Sequence, residues 1–479
     1  MQMTNFKCNY NDFLFLVFIL AVPFIIADVP YIDDLARLAV GYGWNQDGRV
    51  FATFLMKVLS LGYPLMDISP IPTLLAISAL VLSGYIIAEV LCINGRISKA
   101  IVATSMVSGP FIVQNLSYQW DSLPMALSML LIVAPMALIN HRLKFIISAS
   151  ILLTLSMYLY QATIFAFPCL AIIYLWNHIE IKSRDEIVRL LVTLLLAAIA
   201  FVVVYKISTL WINLEYKQTR AELVIFSGDP ISNFLSNTQA LKEVYKPYFS
   251  SSIGRLVLLS YVLSVITICA HAYSNKNISA IIGIFIPPVL MVIASLVGIL
   301  IVNAPVSPRV FSALPISLLA IIIIANKSKY SFIIIGLVIS FTTIIQLYAY
   351  VNALKSEYAL QKSIAFQIAA KNDLYNKHII VNGVAPLSKS AEITLKHLPY
   401  LKGSIPVYLQ NGWVWGRQFM ENEGLIFKEQ YFYSPDFDKK RRGIINALCD
   451  IPVTNQNNHY NIRSNEYTIV IDFKKTQCN

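Results

Sequence analysis

Charge is what this sequence has least of: Asp, Glu, Lys and Arg make up 13% of its 479 residues, where a soluble globular chain carries about 25%. Apolar residues take their place at 57%, and a water-soluble fold is excluded first. Paired cysteine spacings are missing as well. Cys8, Cys92, Cys169, Cys269, Cys449 and Cys478 form no C-x-x-C, which removes a zinc site and a thioredoxin-type motif. Cys449 and Cys478 share the polar C-terminal tail. An oxidising compartment would allow them a disulfide, although nothing in the sequence fixes their distance. Walker A, Rossmann glycine, H-E-x-x-H and Ser-His-Asp patterns are absent. The net charge of +11 does not point to nucleic acid, because Lys and Arg punctuate apolar runs instead of forming basic stripes on a polar background.

What is present is a succession of apolar runs. A membrane-spanning helix needs about 20 mainly apolar residues, since its backbone groups must be satisfied within the segment. The chain then reads as an all-α polytopic membrane protein with about 11 transmembrane helices. They fall near 12–29, 71–93, 99–116, 122–140, 144–159, 162–178, 188–210, 254–273, 278–302, 310–326 and 329–351. The first follows a polar start containing Lys7 and lacks a small-x-small cleavage site before Asp28, so it is expected to stay as an anchor.

Orientation follows from Lys and Arg beside helix ends, which stay cytoplasmic. With the N-terminus inside, one set of loops carries Lys7; Arg96 and Lys99; Arg142 and Lys144; Lys182, Arg184 and Arg189; Lys276; Lys327 and Lys329. The opposite short loops, 117–121 and 303–309, carry only Arg309. An odd number of spans places loops 30–70 and 211–253 and the tail outside. Two domains are expected: a transmembrane domain, 1–351, and a small α+β domain, 352–479. The latter would hold a helix at Asn352–Lys371 and strands at His378–Val381 and Tyr467–Phe473.

Several polar groups gather at the outer helix ends. Asp33 and Asp34 are adjacent carboxylates; like charges so close disfavour joint ionisation, and the pair can supply a base. Alternatively, one of them caps the following helix and pairs with Arg37. The same loop holds Trp44, Asp47 and Arg49, then the stretch Val50–Leu61. Lys57 interrupts that stretch and suits an interfacial helix, either for a lipid-borne substrate or for anchoring alone. Gln114, Asn115, Tyr118, Gln119, Trp120 and Asp121 make a polar pocket rim or an aromatic belt, with Tyr158, Tyr160 and Gln161 beside it. Arg309 presents a planar fork suited to phosphate, or it snorkels to headgroups. Trp413 and Trp415, at alternate positions in the tail, suit sugar faces or core packing.

The segment Tyr31-Ile32-Asp33-Asp34, followed by Gly43-Trp44 and Asp47-Gly48-Arg49, resembles the serotype-converting O-antigen glucosyltransferases of the GtrII type from bacteria and their phages. The resemblance extends through the Tyr160-Gln161 turn, the Pro308-Arg309 pair and the polar tail. It implies a GT-C class fold and a donor such as undecaprenyl phosphate glucose, made by a separate enzyme and flipped by another. It also implies transfer to lipopolysaccharide O-antigen at the periplasmic face of the inner membrane. Asp33 or Asp34 would be the base. Arg309, with Arg49 or Lys57, would hold the donor phosphate, and Trp44, Asp47, Gln119, Trp120, Tyr160, Gln161, Trp413 and Trp415 would meet sugar or acceptor. No obligatory cofactor is expected; a divalent metal is possible but not favoured, since cationic side chains suffice for a phosphate leaving group.

A transporter or flippase would carry ionisable groups near mid-membrane, where only Glu89 and Lys206 approach that description. An O-antigen polymerase or ligase would be expected to use Arg and His in a large outer loop, yet 211–253 has Arg220 and no His.

Overall fold

Lipid offers the backbone no hydrogen bonds, so an apolar run of membrane length satisfies itself as a helix. The computed structural model describes residues 9–179, 182–211, 222–276, 278–302, 308–372, 374, 377–411, 415–426 and 435–478; Lys7, Arg220 and Trp413 lie outside them. In chain order the first helices are α1 (Tyr10–Ala27), α2 (Asp33–Val40), α3 (Val50–Leu59), α4 (Ile71–Val90), α5 (Arg96–Ser105) and α6 (Ile112–Ser117). The middle of the chain gives α7 (Ser122–Val133), α8 (Arg142–Leu159), α9 (Ala166–His178), α10 (Arg184–Trp211), α11 (Pro230–Ser250) and α12 (Ser252–Asn275). The last are α13 (Ile286–Leu300), α14 (Leu314–Ile324), α15 (Lys329–Lys371), α16 (Lys389–His397), α17 (Trp415–Asn422) and α18 (Pro435–Asn446).

Among the described residues, 7 helical segments are long and apolar enough to cross a membrane: α1, α4, α8, α10, α12, Ala280–Leu300 and α15. The chain is therefore a helical membrane-spanning protein. The other expected runs are shorter or broken. Residues 99–116 divide between α5 and α6 around Gly109, whose φ of 116° suits only glycine. Residues 122–140 pass from α7 into a 3-10 segment at Ala134–Leu138, which contains Pro135. The run 162–178 begins as a 3-10 turn before α9, and 310–326 reduces to α14. These short helices sit inside the bundle: every α14 residue except Leu318 is buried. The peripheral α10 buries only 22% of its apolar window. A helix enclosed by protein can end or break where a lipid-facing one cannot.

Close approach in the bundle depends on small residues. A Cβ added at Gly84 of α4 would lie 2.4 Å from the Ala103 Cα of α5.

No break separates the bundle from the polar tail. The expected boundary at 351 falls inside α15, whose 43 residues span about 65 Å at 1.5 Å per residue, twice a hydrocarbon core of about 30 Å. Its far half supports a 4-stranded sheet of order β1 (His378–Asn382), β4 (Thr468–Asp472), β3 (Asn461–Ser464), β2 (Val453–Gln456). β1 and β4 occupy the two stretches expected as strands and pair in parallel, His378 against Thr468 through Asn382 against Asp472. A disulfide joins Cys449 to Cys478, Cα atoms 5.5 Å apart, and ties the chain end to the turn before β2.

Candidate active site

Asp33 opens α2, and Arg309 occupies the 3-10 turn Pro308–Val310 just ahead of α14. Although 276 positions separate them, Arg309 Nη1 donates to Asp33 Oδ2 at 2.9 Å. Each side chain is 30% exposed, so the pair is open to a substrate. Arg309 is fixed from several sides. The same Nη1 donates to the Tyr118 hydroxyl at 2.7 Å, its backbone N–H donates to Gln114 Oε1 at 2.8 Å, and the Tyr160 hydroxyl donates to its carbonyl at 2.9 Å. A guanidinium held this way presents its remaining donors in a set direction, which a planar bidentate contact with phosphate requires.

Asp34 turns the other way. It is fully buried, and its Oδ2 accepts the N–H groups of Tyr31 at 3.0 Å and Gln119 at 2.8 Å. Its Oδ1 has no hydrogen-bond partner and lies 4.0 Å from Arg37 Nη1. Burial pushes the carboxyl well above the usual carboxylate range, against the opposing pull of Arg37 and the Gln119 N–H. Sealed from solvent, with one oxygen taken by two backbone N–H groups, this carboxyl braces the turn between Tyr31 and Gln119. The two adjacent acids thus occupy different environments.

Behind the open pair lies a sealed one. Asp121 hydrogen-bonds Arg37 and accepts from Trp44 Nε1 at 2.7 Å, and Arg49 Nη1 approaches it at 3.6 Å. Arg37 also lies over the Trp44 and Tyr42 rings at 4.3 and 4.9 Å. Arg49 reaches the open side: it sits 4.7 Å from the centroid of the Tyr160 ring, and its Nε donates to Gln161 Oε1 at 3.2 Å. Gln161 Nε2 donates in turn to the Asp47 carbonyl at 3.1 Å.

Other candidates fall elsewhere. Trp44 and Trp120 are 1% exposed and pack in an apolar cluster with Met56, Leu65, Leu123 and Leu159. Neither ring presents a face to a sugar here. The Gln119 side chain donates to Asp28 Oδ1 at 3.0 Å, bracing two turns. Lys57 is exposed on α3, and among the described residues no hydrogen bond or ion pair joins it to the site. Trp415 begins α17, but its side chain, like all of Trp413, lies outside what is described. Asp121, which the sequence offered only as a member of the polar rim beside Trp120, proves to be the acid that Arg37, Trp44 and Arg49 converge on. Among the described residues, no three His, Cys, Asp or Glu side chains gather as metal ligands.

Comparison with known proteins gives this geometry a family. The chain is 25% identical over 460 residues to an uncharacterized 55.3 kDa protein encoded in the gtrB 5′ region of Salmonella phage P22, covering 89% of this chain and 93% of that one. No solved structure matches it. The family model for glucosyl transferase GtrII matches residues 22–341, a segment containing Asp33, Asp34, Arg49, Asp121 and Arg309, and the chain belongs to that family of glycosyltransferases.

Proposed function

We propose that this glycosyltransferase moves a sugar, glucose in the first instance, from a polyprenyl phosphate to lipopolysaccharide O-antigen at the periplasmic face of the bacterial inner membrane. The observation that carries this reading is the contact between Asp33 and Arg309, a carboxylate and a guanidinium joined at 2.9 Å while both remain partly open. Without donor, each charge compensates the other. A donor phosphate arriving at Arg309 competes with Asp33 for the same guanidinium and releases the carboxylate. Asp33 then takes the proton of the acceptor hydroxyl as that oxygen bonds to the anomeric carbon. The anomeric carbon–oxygen bond breaks, its electron pair passes to the phosphate oxygen, and Arg309 offsets the charge that builds there. Arg49, one aromatic ring away over Tyr160, is the second cation of the phosphate site. Asp34 positions the loop and does not touch substrate.

Other features support the donor and the side. An apolar cavity of about 200 Å³, lined by Tyr245, Tyr248, Val257, Met291 and Leu314 among others, opens between helices on the α14 side. Leu314 follows Arg309 by five residues. Such a cavity suits part of an isoprenoid chain, with the remainder in the bilayer. The Cys449–Cys478 disulfide favours an oxidising compartment for the C-terminal domain. Counting the four broken apolar segments as crossings gives eleven spans, a cytoplasmic N-terminus and that same outer C-terminus.

The test is O-antigen structure in cells that lack their own modifying enzyme and are supplied with polyprenyl phosphate glucose. The intact protein is expected to add a glucose branch that the Asp33→Asn variant, present at the same level, does not. An unbranched O-antigen from the intact protein, with donor and expression verified, would refute the reading.

A further inference from the structure

The segment presenting Asp33 is held from the far end of the chain. Ile32, immediately before it, has φ 45° and ψ −98°, a region that strains a β-branched residue and persists only where surroundings over-determine it. The Tyr408 hydroxyl supplies that constraint. It donates to the Pro30 carbonyl at 3.0 Å and accepts the Ile32 N–H at 3.1 Å, bracketing Tyr31. The Tyr31 hydroxyl, for its part, donates to the Ser404 carbonyl at 3.0 Å and accepts from Gln114 Nε2 at 3.1 Å. Gln114 is also the residue whose oxygen receives the Arg309 backbone N–H, so one chain of hydrogen bonds runs from Ser404 through Tyr31 and Gln114 to Arg309, and Tyr31 lies two residues before Asp33 in the chain.

Packing reinforces the bonds. Leu35, two residues past Asp33, belongs to the apolar core of the C-terminal domain with Ile364, Tyr408 and Phe419, and Asn422 of α17 donates to the Leu35 carbonyl at 2.7 Å. Tyr408 is anchored in turn. Its backbone N–H and that of Leu409 donate to Gln361 Oε1 on α15, and Gln361 donates to the buried Glu357 at 3.0 Å. Residues 404–422 all lie beyond the matched family segment, which ends at 341.

We propose that Tyr408 is a positioning residue for sugar transfer, acting through the Ile32 backbone to hold Asp33 against Arg309, and that the C-terminal domain is thereby a working part of the active site. This rests on Asp33 as the base. Tyr408→Phe keeps the ring and removes one hydroxyl, leaving the Ile32 N–H and the Pro30 carbonyl without their partner. We expect kcat to fall about 10- to 100-fold, as displacement of a reacting group by about 1 Å brings, with donor KM within about twofold. In an Asp33→Asn background the same change is expected to cost nothing further, because both act through one carboxylate. Amide hydrogen exchange in residues 30–36 of the full-length protein is expected to quicken in Tyr408→Phe and to stay unchanged in the sheet. Tyr31→Phe, which removes the bonds to Ser404 and from Gln114, is expected to act in the same direction, and if Tyr408→Phe does not fold, Asn422→Ala, which frees the Leu35 carbonyl, tests the hold of the C-terminal domain on this segment by the same kcat and exchange readouts.

Unchanged kcat, a loss confined to KM, or losses that multiply in the double variant would overturn the proposal. If the unaltered protein moves no sugar from polyprenyl phosphate, the functional reading fails instead. Exchange in residues 30–36 then still decides whether Tyr408 holds the segment: slow exchange lost in Tyr408→Phe supports the clamp, and no difference removes it.

Discussion

The Asp33–Arg309 pair and the Asp121–Arg37 pair are built from the same two residue types, and they differ in what else can reach them. Asp33 and Arg309 are each 30% exposed, whereas Asp121 is 5% and Arg37 3% exposed. A partly exposed ion pair adds about 0–1 kcal/mol to stability, too little to explain fixing Arg309 with Gln114, Tyr118 and Tyr160. A sealed pair is different, because removing one partner strands a buried charge at a cost of about 3–5 kcal/mol. The proposed chemistry gives the open pair a use for its exposure, while the sealed pair ties together the loops that carry Arg37 and Asp121. Asp33 and Asp34 repeat the contrast one residue apart, one partly exposed and the other accepting two backbone N–H bonds inside.

Substitutions at the two pairs separate turnover from stability. The largest effect on turnover is expected from Asp33→Asn, a loss of about 10²–10⁴-fold for a missing base, with the amount of folded protein unchanged; transfer of labelled sugar per mole of purified protein measures it. Arg309→Gln is expected to cost about 10²–10³-fold in kcat, as removal of a charge-stabilising group does, again without loss of fold. Asp121→Asn should reverse the pattern, lowering thermal stability in detergent by about 3–5 kcal/mol while the surviving protein keeps most of its turnover. Asp34→Asn retains an oxygen to accept from Tyr31 and Gln119, so turnover is expected within about tenfold of the unaltered protein. Lys57→Ala, on an exposed face of α3, is expected to change neither quantity by more than about twofold; a larger loss in donor KM would return Lys57 to the phosphate site.

Hydropathy made the membrane-spanning class legible, because lipid forces long apolar runs into helices whatever their neighbours. Hydropathy could not foresee which runs would break. Gly109 and Pro135 end helices only because the protein around them replaces lipid, a tertiary circumstance. Asp33 stood out in sequence as one of two adjacent carboxylates and Arg309 as a lone cation, both at ends of apolar runs, and the fold brings them together. Trp44 and Trp120 illustrate the opposite case: an indole in a polar turn reads as exposed, while here the chain folds back over it and hides its ring. The disulfide pairing was open in the sequence, since the distance between Cys449 and Cys478 is set by the antiparallel pairing of the strands that lie between them. The hold of Tyr408 on Ile32 gave no local signal, because it joins positions 376 apart.

The most direct measurement is transfer of labelled glucose from polyprenyl phosphate to an O-antigen acceptor by purified protein in liposomes, run side by side for the unaltered chain, Asp33→Asn and Asp34→Asn. Transfer is expected from the first and third and near-complete loss in the second, at equal amounts of folded protein. Transfer by Asp33→Asn at the unaltered rate, or its loss in Asp34→Asn alone, would contradict the assignment of Asp33 as the base.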